Sequence, residues 1–283
     1  MKLLVFGKTG QVATALGQYA GVALLGRDQA DLTNPDICAA IIQQTGAHAV
    51  INAAAFTAVD LAETQEPLAT KINADAPKAM AQACAARGLP FLHISTDYVF
   101  DGSGQKPWQP DDAISPQNAY GRSKYAGEVG VINAGGTYAI LRTSWVFSAT
   151  GNNFVKTMLK LAQQHSELKI VNDQFGGPTA AADIAAVLVV MAGILAKHPE
   201  KSGVYHFSGA PSVSWLEFAR CIFEKADLPI KTTGIPSAQY PTPAARPLNS
   251  RLSCASLEQA FGIKQPDWRL ALDKVLTQLK ASS

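Results

Sequence analysis

Charge is scarce in this chain. Only 16% of its 283 residues are Asp, Glu, Lys or Arg, and 24 basic side chains against 22 acidic ones leave a formal charge of +2. That near-balance provides no broad field for a nucleic-acid backbone or an anionic membrane, so any anion must be bound locally. Cysteine is sparse as well. Cys38, Cys84, Cys221 and Cys254 lie far apart with no C-x-x-C pair, which argues against a zinc knuckle or redox dithiol and reads as small core residues in a reducing compartment. Long apolar runs are missing too. The longest, Ile184 to Ala196, is shorter than the ~18 to 20 residues a membrane helix needs and reads as a buried helix. Met1 to Gly7 carries one lysine and a short apolar run that meets a glycine turn. It has no h-region or cleavage site, so the expectation is a cytoplasmic protein with no secretory signal.

What the chain does have is apolar residues, 47% of the total, enough to exclude disorder as the dominant state and to build one large α/β domain or two lobes. Leu3 to Phe6, Val22 to Leu25, Ala49 to Asn52, Phe91 to Ile94 and Tyr138 to Arg142 read as strands. Helical patterns alternate with them over Gln11 to Tyr19, Asp36 to Gln44, Pro67 to Arg87 and Ala119 to Ile132. Repeated β-α units of this kind predict an α/β fold with a Rossmann-type, doubly wound parallel sheet. After about residue 145 the rhythm loosens. Helices near Asn153 to His165 and Ala182 to Ala196 flank Gly176 to Pro178, a strand follows at Val204 to Phe207, and a proline-rich connection leads to a last helix from Trp268 to Leu279. The reading is a dinucleotide-binding domain over 1–147, with about 148–180 returning to it, and a smaller mixed α/β substrate lobe over 181–283.

Gly7-Lys8-Thr9-Gly10-Gln11-Val12-Ala13 follows the first strand and opens the first helix, a position where backbone N–H groups can face a pyrophosphate. The spacing is G-x-x-G-x-x-A. Ala13 meets the demand for a small side chain at the helix-to-sheet contact. At the end of the second strand, where an NAD site usually has an acid, the chain has Arg27. This cation favours the 2′-phosphate of NADPH, although it also reads as a solvated surface arginine. Asp31, 21 residues past Gly10, is a second candidate for the adenosine, so NADH stays possible.

Tyr120 and Lys124 stand at i and i+4 of a helical stretch and so share one face. A phenol with an ordinary pKa of ~10 becomes a usable proton donor near neutrality when a cation lies beside it. Alone, this spacing is common on amphipathic helices. Ser95-Thr96 at the carboxyl end of the fourth strand changes its weight, because ligands of open α/β sheets bind outside that edge. A hydroxyl there can hold a ketone oxygen.

Together, the glycine turn, Thr96, Tyr120 and Lys124 resemble the short-chain dehydrogenase/reductase superfamily. Longer segments are similar to the dTDP-4-dehydrorhamnose reductase family: A-A-A-F-T-A-V-D (53 to 60), S-T-D-Y-V-F-D-G (95 to 102), Y-G-R-S-K-Y-A-G-E (120 to 128), L-R-T-S-W-V-F (141 to 147), D-Q-F-G-G-P-T (173 to 179) and R-P-L-N-S-R-L (246 to 252). The resemblance implies hydride transfer from NADPH to the C4 ketone of dTDP-4-dehydro-L-rhamnose, giving dTDP-L-rhamnose. It implies Tyr120 as the acid, Thr96 as the hydrogen-bond partner of the C4 oxygen, and Lys124 as the group that lowers the tyrosine pKa and grips the nicotinamide ribose. Gly7, Thr9, Gly10, Gln11, Val12, Ala53, Ala54, Ala55 and Thr57 would line the cofactor crevice, with Asp31 and Leu32 near the adenosine. Tyr98, Phe100 and Trp145 would wall the dTDP-sugar, and Asn153, Gln174 and Arg246 would give it polar contacts. Phe100 and Trp145 read equally as core aromatics.

Some members of that family bind magnesium at a dimer interface through glutamates, where this chain has Ala15, Ala182 and Arg269. The expectation is therefore activity without magnesium, in a monomer or a homodimer not bridged by metal. Three rival readings stand beside the reductase. A dehydratase places an Asp-Glu pair after its threonine, whereas this chain has Asp97-Tyr98. A reductase or epimerase of another 4-keto-6-deoxysugar nucleotide shares the same triad. A non-catalytic NADP-binding regulatory subunit would keep the fold and not turn over.

Overall fold

The computed structural model describes residues 1–281. Strands β1 (Leu3–Phe6) and β3 (Ala49–Asn52) are buried along their whole length, which is why both read as unbroken apolar runs rather than alternating ones. With β2 (Val22–Leu25), β4 (Phe91–Thr96), β5 (Tyr138–Thr143) and an edge strand, Gly203–His206, they form a six-stranded sheet in the order β2-β1-β3-β4-β5-edge. Every pairing in it is parallel, as the α/β reading requires. From β1 the chain first turns outward to β2 and then crosses back to β3. The topological switch point therefore lies between β1 and β3, and a crevice opens at their carboxyl ends.

Alternate side chains of each strand feed opposite cores. Leu3 and Val5, with Ile51, Leu92 and Leu141, pack on one face against the helices Gln11–Leu16, Ala181–Leu195 and Ala255–Phe261. Leu4, Phe6, Val50, Phe91 and Ile140 pack on the other against Pro35–Gln44, Ala76–Ala86 and Ala119–Ala134. Cys38, Cys84 and Cys254 are buried and free. Among the described residues no helix is long and apolar enough to cross a membrane.

The structure redraws the expected boundary. Helix Phe154–Ala162 and strand Glu167–Val171, predicted to return to the sheet domain, build a second core with helices Trp215–Ala226 and Trp268–Ala281. Helix Ala181–Leu195 and strand Gly203–His206, predicted for the small lobe, complete the sheet domain instead. The reason is amphipathicity. Apolar nearly all round, Ala181–Leu195 needs the broad cover that only the large sheet supplies, whereas Phe154–Ala162 buries a single stripe, including Val155 and Met158.

Two local differences shape the site. β4 and β5 run to Thr96 and Thr143, further than predicted, so Ser95 and Thr96 are still strand residues and Thr96 pairs with Thr143. The predicted helix over 67–87 is a composite of Glu66–Thr70, a π-helical turn Lys71–Asp75, and Ala76–Ala86. A π-bulge inside a helix often marks a functional place, and here it places Asn73 between Phe56 and Ser123 of helix Ala119–Ala134.

Candidate active site

Two adjoining cavities of about 590 and 640 Å³ share Thr9, Gly10, Ala53, Ala54, Ala55 and Thr57 and run along the carboxyl edge of the sheet. At their junction Gly7 has φ +117°, and a Cβ there would lie 3.3 Å from the Ala53 carbonyl and 3.3 Å from the Ala13 Cβ. Only glycine fits this turn. Ala13 is fully buried and is the small residue that the third position of the turn demands. Gln11 and Val12 line the cavity toward the catalytic end, and Lys8, Arg27, Asp31 and Leu32 line the other. Arg27 pairs with Asp31 at 3.3 Å on the surface, its side chain 80% exposed. The Asp31 carboxyl is held below its usual range, first by the Thr33 N–H and then by Arg27. The two candidates for the adenosine end thus sit side by side, and an exposed pair of this kind is weak enough for an anionic ligand to rearrange.

At the other end of the cleft the last residues of β4 meet helix Ala119–Ala134. Asn118 caps that helix by accepting from the Gly121 N–H at 2.7 Å. Gly121 lets it sit against β4, since a Cβ there would lie 2.2 Å from the Tyr98 carbonyl oxygen. The close approach delivers Tyr120 and Lys124 to Thr96. Thr96 Oγ1 donates to Asp97 Oδ1 at 3.1 Å, accepts from the Tyr98 N–H at 3.2 Å, and is in hydrogen-bond contact with the Tyr120 phenol. Lys124 Nζ donates to the Ile94 carbonyl at 2.7 Å and lies 3.2 Å from His93 Nε2.

These surroundings set the protonation states. Burial, with the nearby Asp97 charge, pushes the Tyr120 phenol above its ordinary range despite its hydrogen bond to Thr96. The sequence predicts a tyrosine lowered by Lys124; here the phenol stays protonated, the form a reductase needs in its acid. Burial lowers Lys124 to about 8, against the opposing pull of Glu128. Asp97 rises to about 6 because it is buried, with hydroxyls of Ser250 and Thr96 acting the other way.

The sequence-predicted substrate residues divide. Tyr98 and Trp145 line the cleft, Tyr98 edge-on to Tyr120 with ring centroids 5.6 Å apart. Trp145 stacks on Trp215 and adopts φ +49°, a left-handed conformation that costs a non-glycine residue about 1–3 kcal/mol. Arg246 lies just beyond Tyr98, bound to Asp60 at 2.8 Å, with Nη1 buried and unpartnered among the described residues. The other three are engaged inside the protein. Phe100 is a core ring stacked on Trp108. Asn153 caps its own helix and bonds Gln11 and Ser148, and Gln174 is held between Trp215 and Ser237.

Other polar residues also converge here, of which sequence reasoning had named only Ser95. Asn73 brackets Phe56, accepting from its N–H at 2.8 Å and donating to its carbonyl at 3.1 Å, and reaches Ser123 of the catalytic helix at 2.9 Å. It joins the crevice wall to helix Ala119–Ala134. Ser95 Oγ and Thr143 Oγ1 line the cleft, buried and without a partner among the described residues. Buried hydroxyls are rarely left so. Together with the Gly7 cradle and the cations Lys8 and Arg27, they fit a bound nicotinamide dinucleotide. Among the described residues, no group of three His, Cys, Asp or Glu side chains is placed to hold a metal.

The RmlD substrate binding domain family matches residues 1–281. The chain is 42% identical to a dTDP-4-dehydrorhamnose reductase of Sinorhizobium fredii over 95% of its own length and 94% of the relative's. It is 39% identical to a dTDP-4-dehydrorhamnose reductase of Escherichia coli over 99% and 98%. Among solved structures, the dTDP-4-dehydrorhamnose reductase of Bacillus anthracis in complex with NADP superposes with a TM-score of 0.91 at 33% identity, covering 98% of this chain and all of that one.

Proposed function

The chain belongs to the dTDP-4-dehydrorhamnose reductase family, and from that membership and the site's geometry we infer that it reduces the C4 ketone of dTDP-4-dehydro-L-rhamnose to dTDP-L-rhamnose with NADPH. The observation that carries the reading is the meeting of Thr96, Tyr120 and Lys124 at the end of β4, next to the glycine turn.

When bound, NADPH supplies the hydride. Gly7, Thr9, Gly10, Gln11 and Val12 hold its diphosphate, Ala53 to Ala55 and Thr57 wall its crevice, and Arg27, Asp31 and Leu32 flank its adenosine end. Ser95 and Thr143 offer their unpartnered hydroxyls at the nicotinamide end. Thr96 orients the C4 oxygen, and Tyr120, kept protonated by burial, gives that oxygen its proton as charge develops. Lys124 supports Tyr120 and the ribose. Tyr98 and Trp145 pack on the sugar, and Arg246 lies where an anionic diphosphate can draw it from Asp60.

With Ala15, Ala182 and Arg269 at the positions where the resemblance implies metal-binding glutamates in some members of the family, the reaction proceeds without magnesium, in a monomer or a homodimer not bridged by metal. The reduced cofactor, the nucleotide-sugar substrate and the free buried cysteines support a cytoplasmic location. The test is NADPH absorbance with dTDP-4-dehydro-L-rhamnose, with and without EDTA, and NMR of the product. Equal oxidation in both cuvettes with formation of dTDP-L-rhamnose is expected; binding of NADPH without oxidation would remove the reading.

A further inference from the structure

Beneath the catalytic lysine lie two buried polar side chains that have no part in the transfer to C4. His93 is fully buried in β4, with Lys124 at one ring nitrogen and Asn52 at the other. Asn52, at the end of β3 and 1% exposed, accepts from the Ala54 N–H through Oδ1 at 3.2 Å. That bond fixes its amide, so Nδ2 faces His93 Nδ1 at 3.2 Å. A nitrogen facing an N–H donor must accept, which leaves the imidazole hydrogen on Nε2. Nε2–H then points at Lys124 Nζ, 3.2 Å away. An ammonium has no lone pair to receive it, whereas an amine does.

We propose that Asn52 and His93 are positioning residues that bias Lys124 toward its amine form and so ease the release of its proton toward Tyr120. The proposal rests on the reductase reading. In each reduction the Tyr120 O–H bond breaks and its proton passes to the C4 oxygen. A proton from Lys124 Nζ then restores the phenol, and the resulting amine takes another from solvent through the open cleft. A lysine whose charge is opposed gives up its proton more readily.

Burial already lowers Lys124, and no other charged group around it adds to that bias. Glu128, two turns past Tyr120 on the same helix, favours the ammonium but is bound by Arg142 from β5. Asp97, beyond the end of β4, acts on Tyr120. His93 is the group in direct contact that opposes the charge, and its own pKa lies well below the ordinary imidazole value through burial and Lys124.

Two measurements test the proposal. In the free protein, ¹⁵N-histidine NMR should show His93 protonated at Nε2 and bare at Nδ1; hydrogen at Nδ1 overturns the proposal whether or not the enzyme turns over. The second is the alkaline limb of kcat for NADPH oxidation. His93→Gln can turn a carbonyl oxygen toward Nζ, and Asn52→Asp can take a hydrogen from Nδ1 and free Nε2 to accept. Each should move the limb upward by about one pH unit, and Asn52→Asp should also switch the His93 signal to Nδ1–H. Lower kcat with an unmoved limb in both variants means a merely structural role and overturns the proposal, while the reductase reading stands. A parent protein that binds NADPH without oxidising it defeats the reductase reading and leaves the tautomer legible.

Discussion

Arg142 grips Glu128 through two parallel hydrogen bonds, Nε to Oε1 at 2.9 Å and Nη2 to Oε2 at 2.7 Å, with the two side chains 3% and 0% exposed. The pair fastens the catalytic helix to β5 one turn beyond Lys124, and Arg142 also reaches the Pro110 carbonyl and lies over the Phe100 ring. Removing one partner strands the other charge in the core, so Arg142→Met should cost about 3–5 kcal/mol in urea unfolding. Adding Glu128→Leu should recover much of that loss. Equal stability of Arg142→Met and the parent protein would show that the pair does not hold the helix.

Tyr120→Phe keeps the ring and its contact with Tyr98 but removes the proton. Its kcat should fall by about 10²- to 10⁴-fold, while NADPH affinity, measured by fluorescence titration, stays within about twofold. A loss of only a few-fold would take the acid's role from this tyrosine.

Arg27 is the cation proposed for the adenosine end. Arg27→Ala should raise KM for NADPH about tenfold, the scale of one charge-assisted contact, and leave KM for NADH nearly unchanged. Equal effects on both cofactors would assign Arg27 to the surface, as its pairing with Asp31 also allows.

Asp97 gives a pH signature. Its folded pKa, about 6, lies above the ordinary value of 3.8. The native state therefore binds the extra proton between those values, and this group's stabilising contribution is present below about 4 and lost as the pH rises through 6. From pH 4 to pH 7, Asp97→Asn should gain roughly 2 kcal/mol relative to the parent protein. Thermal unfolding at the two pH values checks this, and a pH-independent difference would contradict it.

The legible parts of the sequence were those governed by a strong local rule. β1, β2 and β3 have the predicted bounds, because apolar runs that short, ended by turns, have few other fates. That Thr96, Tyr120 and Lys124 would meet was readable because strand end and helix spacing place them on one edge. The lobe boundary was not legible. Residues 154–162 and 181–195 both look helical, and only the width of the apolar face tells which core takes each. Asn153 and Gln174 were expected at the substrate from the resemblance, and the fold shows that one caps its own helix and the other holds the Trp215 indole, partners that lie elsewhere in the chain. His93, Asn52 and Asn73 left no periodic signal, since a single polar residue inside an apolar run acquires meaning only from its neighbours in space.

The central claim is that a hydride reaches C4 of the sugar while Tyr120 supplies the proton. Incubation with NADPH deuterated on the transferring face of the nicotinamide, followed by NMR of the nucleotide sugar, measures this most directly. Deuterium at C4 of dTDP-L-rhamnose is the predicted result. Deuterium retained on the cofactor, or found at any other carbon of the sugar, would contradict it.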